Sequence, residues 1–200
     1  MSIKILGGIA KGTILFLPDE KLTRPTLVLL KRKIFDAVQN FEGYVFIDAC
    51  AGSGAIGLEA WSRGAKKVFL IEPNKNVFRS LIRNVEKFEK HFSQEMRERK
   101  LEAILTSFEK FLSRFTKDYL TWDEESKKDC IIFFDPPYPL HDFYKKVILE
   151  ELRKDNWFKG FIWVESDEKK GIPFSYWNDK VIEITRSYAH GYSYIFMAKF

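Results

Sequence analysis

Short apolar runs alternate along the chain with longer amphipathic stretches. Tyr44 to Ile47, Val68 to Ile71, Ala103 to Leu105, Cys130 to Phe134 and Phe161 to Glu165 are short and nearly all apolar, the pattern of parallel strands buried on both faces. Between them apolar positions recur at helical spacing. Leu27, Leu30, Ile34 and Val38 predict a helix from near Thr26 to about Asn40, and Val77, Leu81, Val85 and Phe88 predict one from Asn74 to roughly Lys90. A helix from Ala55 should end near Gly64, Phe111, Leu112 and Phe115 mark a fourth, and a fifth is expected around Phe143 to Leu152. Residues 89–100 read as a solvated helix end and 116–129 as a polar connection. Val181 to Ile184 and Tyr194 to Met197 flank His190-Gly191, and strands joined by so short a turn must be antiparallel. At the front, Ile3 to Leu6 and Thr13 to Leu17, separated by glycines, predict a small hairpin. The expected fold is therefore α/β, five strand–helix units closed by a C-terminal hairpin, with an N-terminal hairpin and helix extension. Residues 1–24 are expected to be that basic hairpin extension and 25–200 the main domain.

Composition narrows the class. The 200 residues are 46% hydrophobic and 16% aromatic, too apolar for disorder, and no apolar run approaches the ~20 residues of a membrane span. Cys50 and Cys130 are the two cysteines; they supply neither a disulfide framework nor a metal-ligand spacing, so no metal is expected and a reducing, cytoplasmic setting is. Charge is unevenly placed. Residues 1–34 hold seven basic residues against two acids, so the whole net charge of +5 lies there. A basic segment on a neutral body suits a polyanion, and Lys4, Lys11, Arg24, Lys31 and Arg32 are the expected contacts to nucleic-acid phosphates. On the first helix, Lys31, Arg32 and Lys33 are expected on arcs that face away from the core.

The first chemical signal is Val45 to Ala60, VFIDACAGSGAIGLEA. A strand ends in Asp48, small residues follow, and Gly52, Gly54 and Gly57 give the G-x-G-x-x-G spacing before a helix. Such a turn lets a nucleotide-type ligand approach the backbone at a helix N-terminus. Glu72 ends the second strand 20 residues after Gly52, where a carboxylate can accept hydrogen bonds from both ribose hydroxyls. Ser107-Phe108 stands at the C-terminal edge of the third strand, within reach of a nucleobase.

The second signal is Asp135-Pro136-Pro137-Tyr138 at the end of the fourth strand. Two prolines fix φ and remove two N–H donors, which holds the neighbouring carbonyls outward. The Asp135 carboxylate and the Pro136 carbonyl can accept both N–H bonds of an exocyclic amine on a heteroaromatic ring, and Tyr138 can stack on that ring. Acceptors on those hydrogens favour attack by the nitrogen, on which positive charge develops.

VFIDACAGSGAIGLEAWSRGA (45–65), LIEPN (70–74) and FFDPPY (133–138), together with GGIAKG (7–12) and RPT (24–26), resemble the S-adenosylmethionine-dependent methyltransferases. They are most similar to the RsmD-like family, which methylates the N2 amino group of a guanine in bacterial 16S ribosomal RNA. The resemblance implies a seven-stranded Rossmann-like sheet with its last strand antiparallel. It assigns Asp48, Gly52 and Gly54 to the methionine end of the cofactor, Glu72 to the ribose and Ser107-Phe108 to the surroundings of adenine; Ala49, Ser53 and Pro73 are taken as part of the same site. Asp135 to Tyr138 become the catalytic residues, with ribosomal RNA or the small subunit as partner and a monomer favoured. The family usually carries a polar Asp-Arg pair where Val28-Leu29 stands here, and an acid in place of Arg32, so roles on this helix rest on charge alone. Rival readings are an adenine-N6 DNA or protein-glutamine methyltransferase, an NAD-dependent oxidoreductase, which the glycine spacing alone allows, and a non-catalytic RNA-binding protein.

Overall fold

A computed structural model describes residues 3–17, 25–178, 180 and 183–199, with residues 25–29 described in backbone only. Arg24, the side chains of Val28 and Leu29, and Val181-Ile182 thus lie outside the described residues. The chain runs β1 (Ile3–Lys4), β2 (Ile14–Leu15), α1 (Pro25–Ala37), β3 (Val45–Asp48), α2 (Ala55–Ser62), β4 (Lys67–Glu72), α3 (Lys75–His91), β5 (Lys100–Leu105), α4 (Phe108–Leu120) and α5 (Glu124–Lys128). It continues with β6 (Cys130–Phe134), α6 (His141–Lys145) with a wider π-type extension over Lys146–Glu151, β7 (Phe161–Asp167), α7 (Ser175–Asn178), β8 (Glu183–His190) and β9 (Ser193–Lys199).

Seven strands form one sheet in the order β5-β4-β3-β6-β7-β9-β8. All pairings from β5 to β7 are parallel, and β9 is antiparallel to both β7 and β8. Alternation across the pleat decides which core each side chain joins. Phe46 faces a cluster with Leu30, Ile34 and Phe35 of α1, Trp61 of α2, and Leu81 and Phe88 of α3. Val45 and Ile47 face the opposite cluster with Phe111, Phe115, Tyr119, Tyr144 and Trp177. The sheet is the middle of three layers, which is why its central strands lack a polar face. Because β3 leads outward to β4 and β5 and the chain then returns to β6 on the other side of β3, the topological switch point lies at the C-terminal ends of β3 and β6, the crevice position where open α/β sheets bind ligands.

Three details depart from the sequence reading. The N-terminal hairpin keeps only Ile3↔Leu15 and Lys4↔Ile14 as paired strand; Ile5 still bonds Thr13 and Gly12, but from Leu6 on α2 takes the amides. The Leu6 and Gly7 N–H groups donate to Glu59 (2.7 and 2.8 Å) and the Ala10 N–H to Ser62 Oγ (2.9 Å). The stretch 116–129 is largely helical, since Tyr119 is buried and packs on Phe115 and Trp122. Lys31 does not face solvent. It is 4% exposed, donates to the Ala55 carbonyl at 2.6 Å and pairs with Glu59 at 3.5 Å. Its expected phosphate contact is therefore corrected: burial draws the ammonium down to about 8, against the pull of Glu59, and its place is inside the molecule.

Candidate cofactor and target site

Asp48 ends β3 and is 1% exposed. Its Oδ2 accepts the Gly57 N–H at 2.9 Å, so the acid closes the loop onto the start of α2. A Cβ at Gly57 would stand 2.3 Å from Leu70 Cδ2, and the third glycine is therefore a packing residue that lets α2 lie against β4. Gly54, with φ 82°, makes the turn into the helix. Burial raises the Asp48 carboxyl to about 7; the Gly57 hydrogen bond and Lys31 oppose this and Glu72 adds to it.

Glu72 ends β4 and accepts the Gly52 N–H at 3.0 Å on one oxygen and the Asn74 N–H at 2.8 Å on the other. Burial raises this carboxyl, and the two hydrogen bonds hold it back. Each oxygen retains a second lone pair for a ribose hydroxyl. Asn74 caps α3 through bonds to the Asn76 and Val77 N–H groups, and Pro73 between the two is exposed. Ala49 is buried, its N–H donating to the Phe133 carbonyl at 2.9 Å, which ties the loop to β6. Ser53 is half-buried, and its carbonyl accepts Asn84 Nδ2 at 2.8 Å.

The second motif lies on the neighbouring strand, in register, since Asp48 pairs with Phe133 two residues before Asp135. Cys50 marks where the two motifs meet. Burial pushes its thiol up, followed by the Asp135, Asp48 and Glu72 carboxylates, while the Asp135 backbone N–H opposes them. Asp48, Glu72 and Asp135 thus stand at or just beyond the ends of three adjacent strands beside the glycine loop. Asp135 is half-buried, Pro136 buried and Pro137 exposed. The Pro136 carbonyl accepts the Tyr144 hydroxyl at 2.9 Å, which also lies 2.9 Å from the Glu165 carbonyl; a second lone pair stays available on Pro136. Tyr138 is 5% exposed, and its hydroxyl donates to Glu165 Oε1 (3.0 Å) with Ser193 Oγ at 3.4 Å. The ring is thus tucked under the turn, and in this conformation it holds the tetrapeptide in place and does not present an open stacking face.

Ser107 precedes α4 and is half-buried, whereas Phe108 is 2% exposed and packs on Phe111 and Phe134. Phe108 belongs to the core that supports the end of β6. Lys4, Lys11 and Arg32 are exposed, Arg32 within 3.7 Å of Asp36. Four participants were not read from the sequence: Tyr144, Glu165, Ser193 and Asn84. Each looks like an ordinary helix or strand position, and only its long-range partner reveals it.

S-adenosylmethionine fits this arrangement on the chemistry of the donors. The site presents acceptors and negative charge, suited to a ligand with a cationic centre, and a Cβ at Gly52 would meet nothing within 4 Å, so the loop has room beside it. A pyrophosphate needs free backbone N–H groups, but the Gly52 and Gly57 amides are already bonded to carboxylates.

Residues 3–194 match the family described as conserved hypothetical protein 95. The ribosomal RNA small subunit methyltransferase D of Escherichia coli K12 is 31% identical over 182 residues, covering 86% of this chain and 78% of that protein. The Haemophilus influenzae protein of the same name is 27% identical over 85% of this chain and 81% of its own length. Among solved structures, a candidate methyltransferase from Escherichia coli superposes over 100% of this chain and 98% of its own, with a TM-score of 0.68 at 25% identity. This chain belongs to the conserved hypothetical protein 95 family, the methyltransferase family of the ribosomal RNA small subunit methyltransferase D proteins.

Proposed function

We propose that this protein transfers the methyl group of S-adenosylmethionine to the exocyclic N2 amino group of a guanine in small-subunit ribosomal RNA. One observation carries the reading: Asp48 and Glu72, at neighbouring strand ends, close a glycine loop by accepting its Gly57 and Gly52 amides, and Asp135 follows the adjacent strand two residues beyond Phe133, the partner of Asp48. The relatives named as ribosomal RNA small subunit methyltransferases support the substrate class.

The cofactor supplies an electrophilic methyl on a sulfonium. Glu72 would hold its ribose, and the loop from Asp48 to Gly54 would hold its methionine end. Asp135 and the Pro136 carbonyl orient the target amine by accepting its two N–H bonds, the Asp135 carboxylate stabilises the positive charge that develops on nitrogen, and as the N–CH3 bond forms and the methyl leaves sulfur, the nitrogen gives up one of these protons to Asp135 and on to water. Alignment of two reactants in one crevice is worth up to ~7–11 kcal/mol in favourable systems. The target guanine must leave its stack to enter, so a loop or bulge base is the expected substrate. Exposed Lys4, Lys11 and Arg32, with Arg24, would contact phosphates. Ribosomal RNA as substrate also implies a cytoplasmic protein.

The test is transfer of labelled methyl from S-adenosylmethionine to RNA and small subunits lacking the modification, followed by mapping. Label on a guanine N2 is expected. Label on adenine N6 of DNA or on a glutamine amide would overturn the substrate, and no transfer to any acceptor would overturn the activity.

A further inference from the structure

Tyr192 occupies the tip of the β8–β9 hairpin directly after Gly191, whose φ is 61°. At 56% exposure it is among the most exposed large hydrophobic side chains described. β9 runs antiparallel to β7 with Ser193 paired to Asp167, so this tip lies at the same sheet edge as the crevice. Its backbone is fixed, for the Glu168 N–H donates to the Tyr192 carbonyl at 2.8 Å. Its ring carries the Lys169 ammonium 3.6 Å from the centroid. Lys169 is itself placed by a turn that Asp167 organises, accepting the Lys169 and Lys170 N–H groups at 3.0 and 2.9 Å. Asp167 also accepts the Ser193 hydroxyl at 3.1 Å, and Ser193 lies 3.4 Å from the Tyr138 hydroxyl. Asp167 thus ties the turn that carries Lys169 to the end of the hairpin, with Ser193 Oγ 3.4 Å from the Tyr138 hydroxyl, and the exposed Tyr192 ring with Lys169 over it stands beside this cluster.

We propose that Tyr192 and Lys169 form a stacking subsite for an unpaired nucleotide adjoining the target guanine. The proposal rests on the reading of RNA as substrate. Lys169 covers one face of the ring and the exposure of the rest leaves room for a base, while Lys169 and Lys170 supply positive charge for its phosphates. Aromatic rings beside cations are the general means of holding single-stranded RNA, because every base has a face to stack. A target guanine drawn out of its stack leaves its neighbour unstacked too, and a ring whose backbone is bonded to Glu168 at the same sheet edge can receive that neighbour. The mechanism above makes no use of Tyr192, so the subsite is a positioning element.

The test compares wild type, Tyr192→Ala, Tyr192→Phe and Lys169→Gln. It measures affinity for an unmodified single-stranded fragment of small-subunit RNA across a salt series, S-adenosylmethionine affinity, methyl transfer and thermal unfolding. Tyr192→Ala should weaken RNA binding about ten-fold and raise KM without lowering kcat, whereas Tyr192→Phe should stay within about two-fold of wild type. Lys169→Gln should lower the slope of log affinity against log salt by about one. Cofactor affinity and unfolding temperature should not move. If Tyr192→Ala binds and methylates RNA like wild type, the subsite is overturned while the proposed function stands. Normal RNA binding with transfer lost only on assembled subunits would place a ribosomal protein against Tyr192 and also overturn it. A wild type that neither binds nor methylates RNA would remove both readings.

Discussion

The two halves of the crevice are built differently. On the cofactor side, carboxylates near in sequence close a backbone loop: Asp48 reaches Gly57 nine residues on, and Glu72 reaches Gly52 across 20. On the target side the rigidity comes from hydroxyls: Tyr138 reaches Glu165 and Ser193, 27 and 55 residues on, and Tyr144 of α6 bonds the Pro136 and Glu165 carbonyls. A loop that must embrace a cofactor is shaped by its own strand ends. A turn that must hold an acceptor toward a base is braced by three further elements, α6, β7 and β9. If this contrast is right, changes on one side should act on cofactor affinity and changes on the other on transfer.

The largest expected effect lies on the target side. Asp135→Ala removes the acceptor at the developing charge and should lower methyl transfer ~10²–10³-fold, as loss of one such group does elsewhere, with S-adenosylmethionine affinity changed less than about three-fold. Calorimetry beside single-turnover transfer checks this, and equal losses in both would merge the two halves. On the cofactor side, Glu72→Gln leaves one oxygen where two amides and a ribose compete. It should weaken S-adenosylmethionine about 10-fold or more, the scale of one charged hydrogen bond.

Smaller effects should appear in stability. Asn84 is buried in the middle of α3, and its side chain accepts the Phe16 N–H at 2.8 Å and donates to the Phe16 and Ser53 carbonyls at 2.9 and 2.8 Å. It joins the N-terminal segment to the glycine loop. Asn84→Ala should cost about 1–3 kcal/mol in denaturant unfolding, since those groups lose their partner. Asp48 gives a pH signature. Its carboxyl is raised to about 7 from an ordinary 3.8, so the unfolded chain releases this proton first. Its contribution to stability is full below about pH 4 and is lost as pH rises through 7, with a slope of at most ~1.4 kcal/mol per pH unit. Asp48→Asn keeps an acceptor for Gly57 and should flatten unfolding curves between those limits; an unchanged slope would contradict the raised carboxyl.

The same contrast explains what the sequence disclosed. Strand, glycine turn and helix are adjacent in the chain, and buried strands declare themselves by continuous apolar residues, so β3, β6 and the loop between β3 and α2 were legible. Pro136 and Pro137 were legible because proline restricts the backbone wherever it stands. Tyr144, Glu165 and Ser193 were not, because nothing local distinguishes a buried hydroxyl bonded across the fold from one facing water. Glu59 shows the same limit in reverse. It reads as a surface acid of α2, yet it is 0% exposed and gathers the Leu6 and Gly7 amides, Arg63 and Lys31. That is also why Lys31, on an apparently polar arc of α1, turns inward. In 116–129, charged residues hid the aromatic pair Tyr119 and Trp122 that fold the segment onto the core.

The central claim is that the glycine loop is an acid-bonded seat for a cationic cofactor and not an amide nest for a pyrophosphate. Calorimetric titration of the wild-type protein with S-adenosylmethionine and with NAD tests it most directly. The account predicts one equivalent of S-adenosylmethionine bound and no NAD uptake; NAD binding as tightly as S-adenosylmethionine, or more tightly, would contradict it.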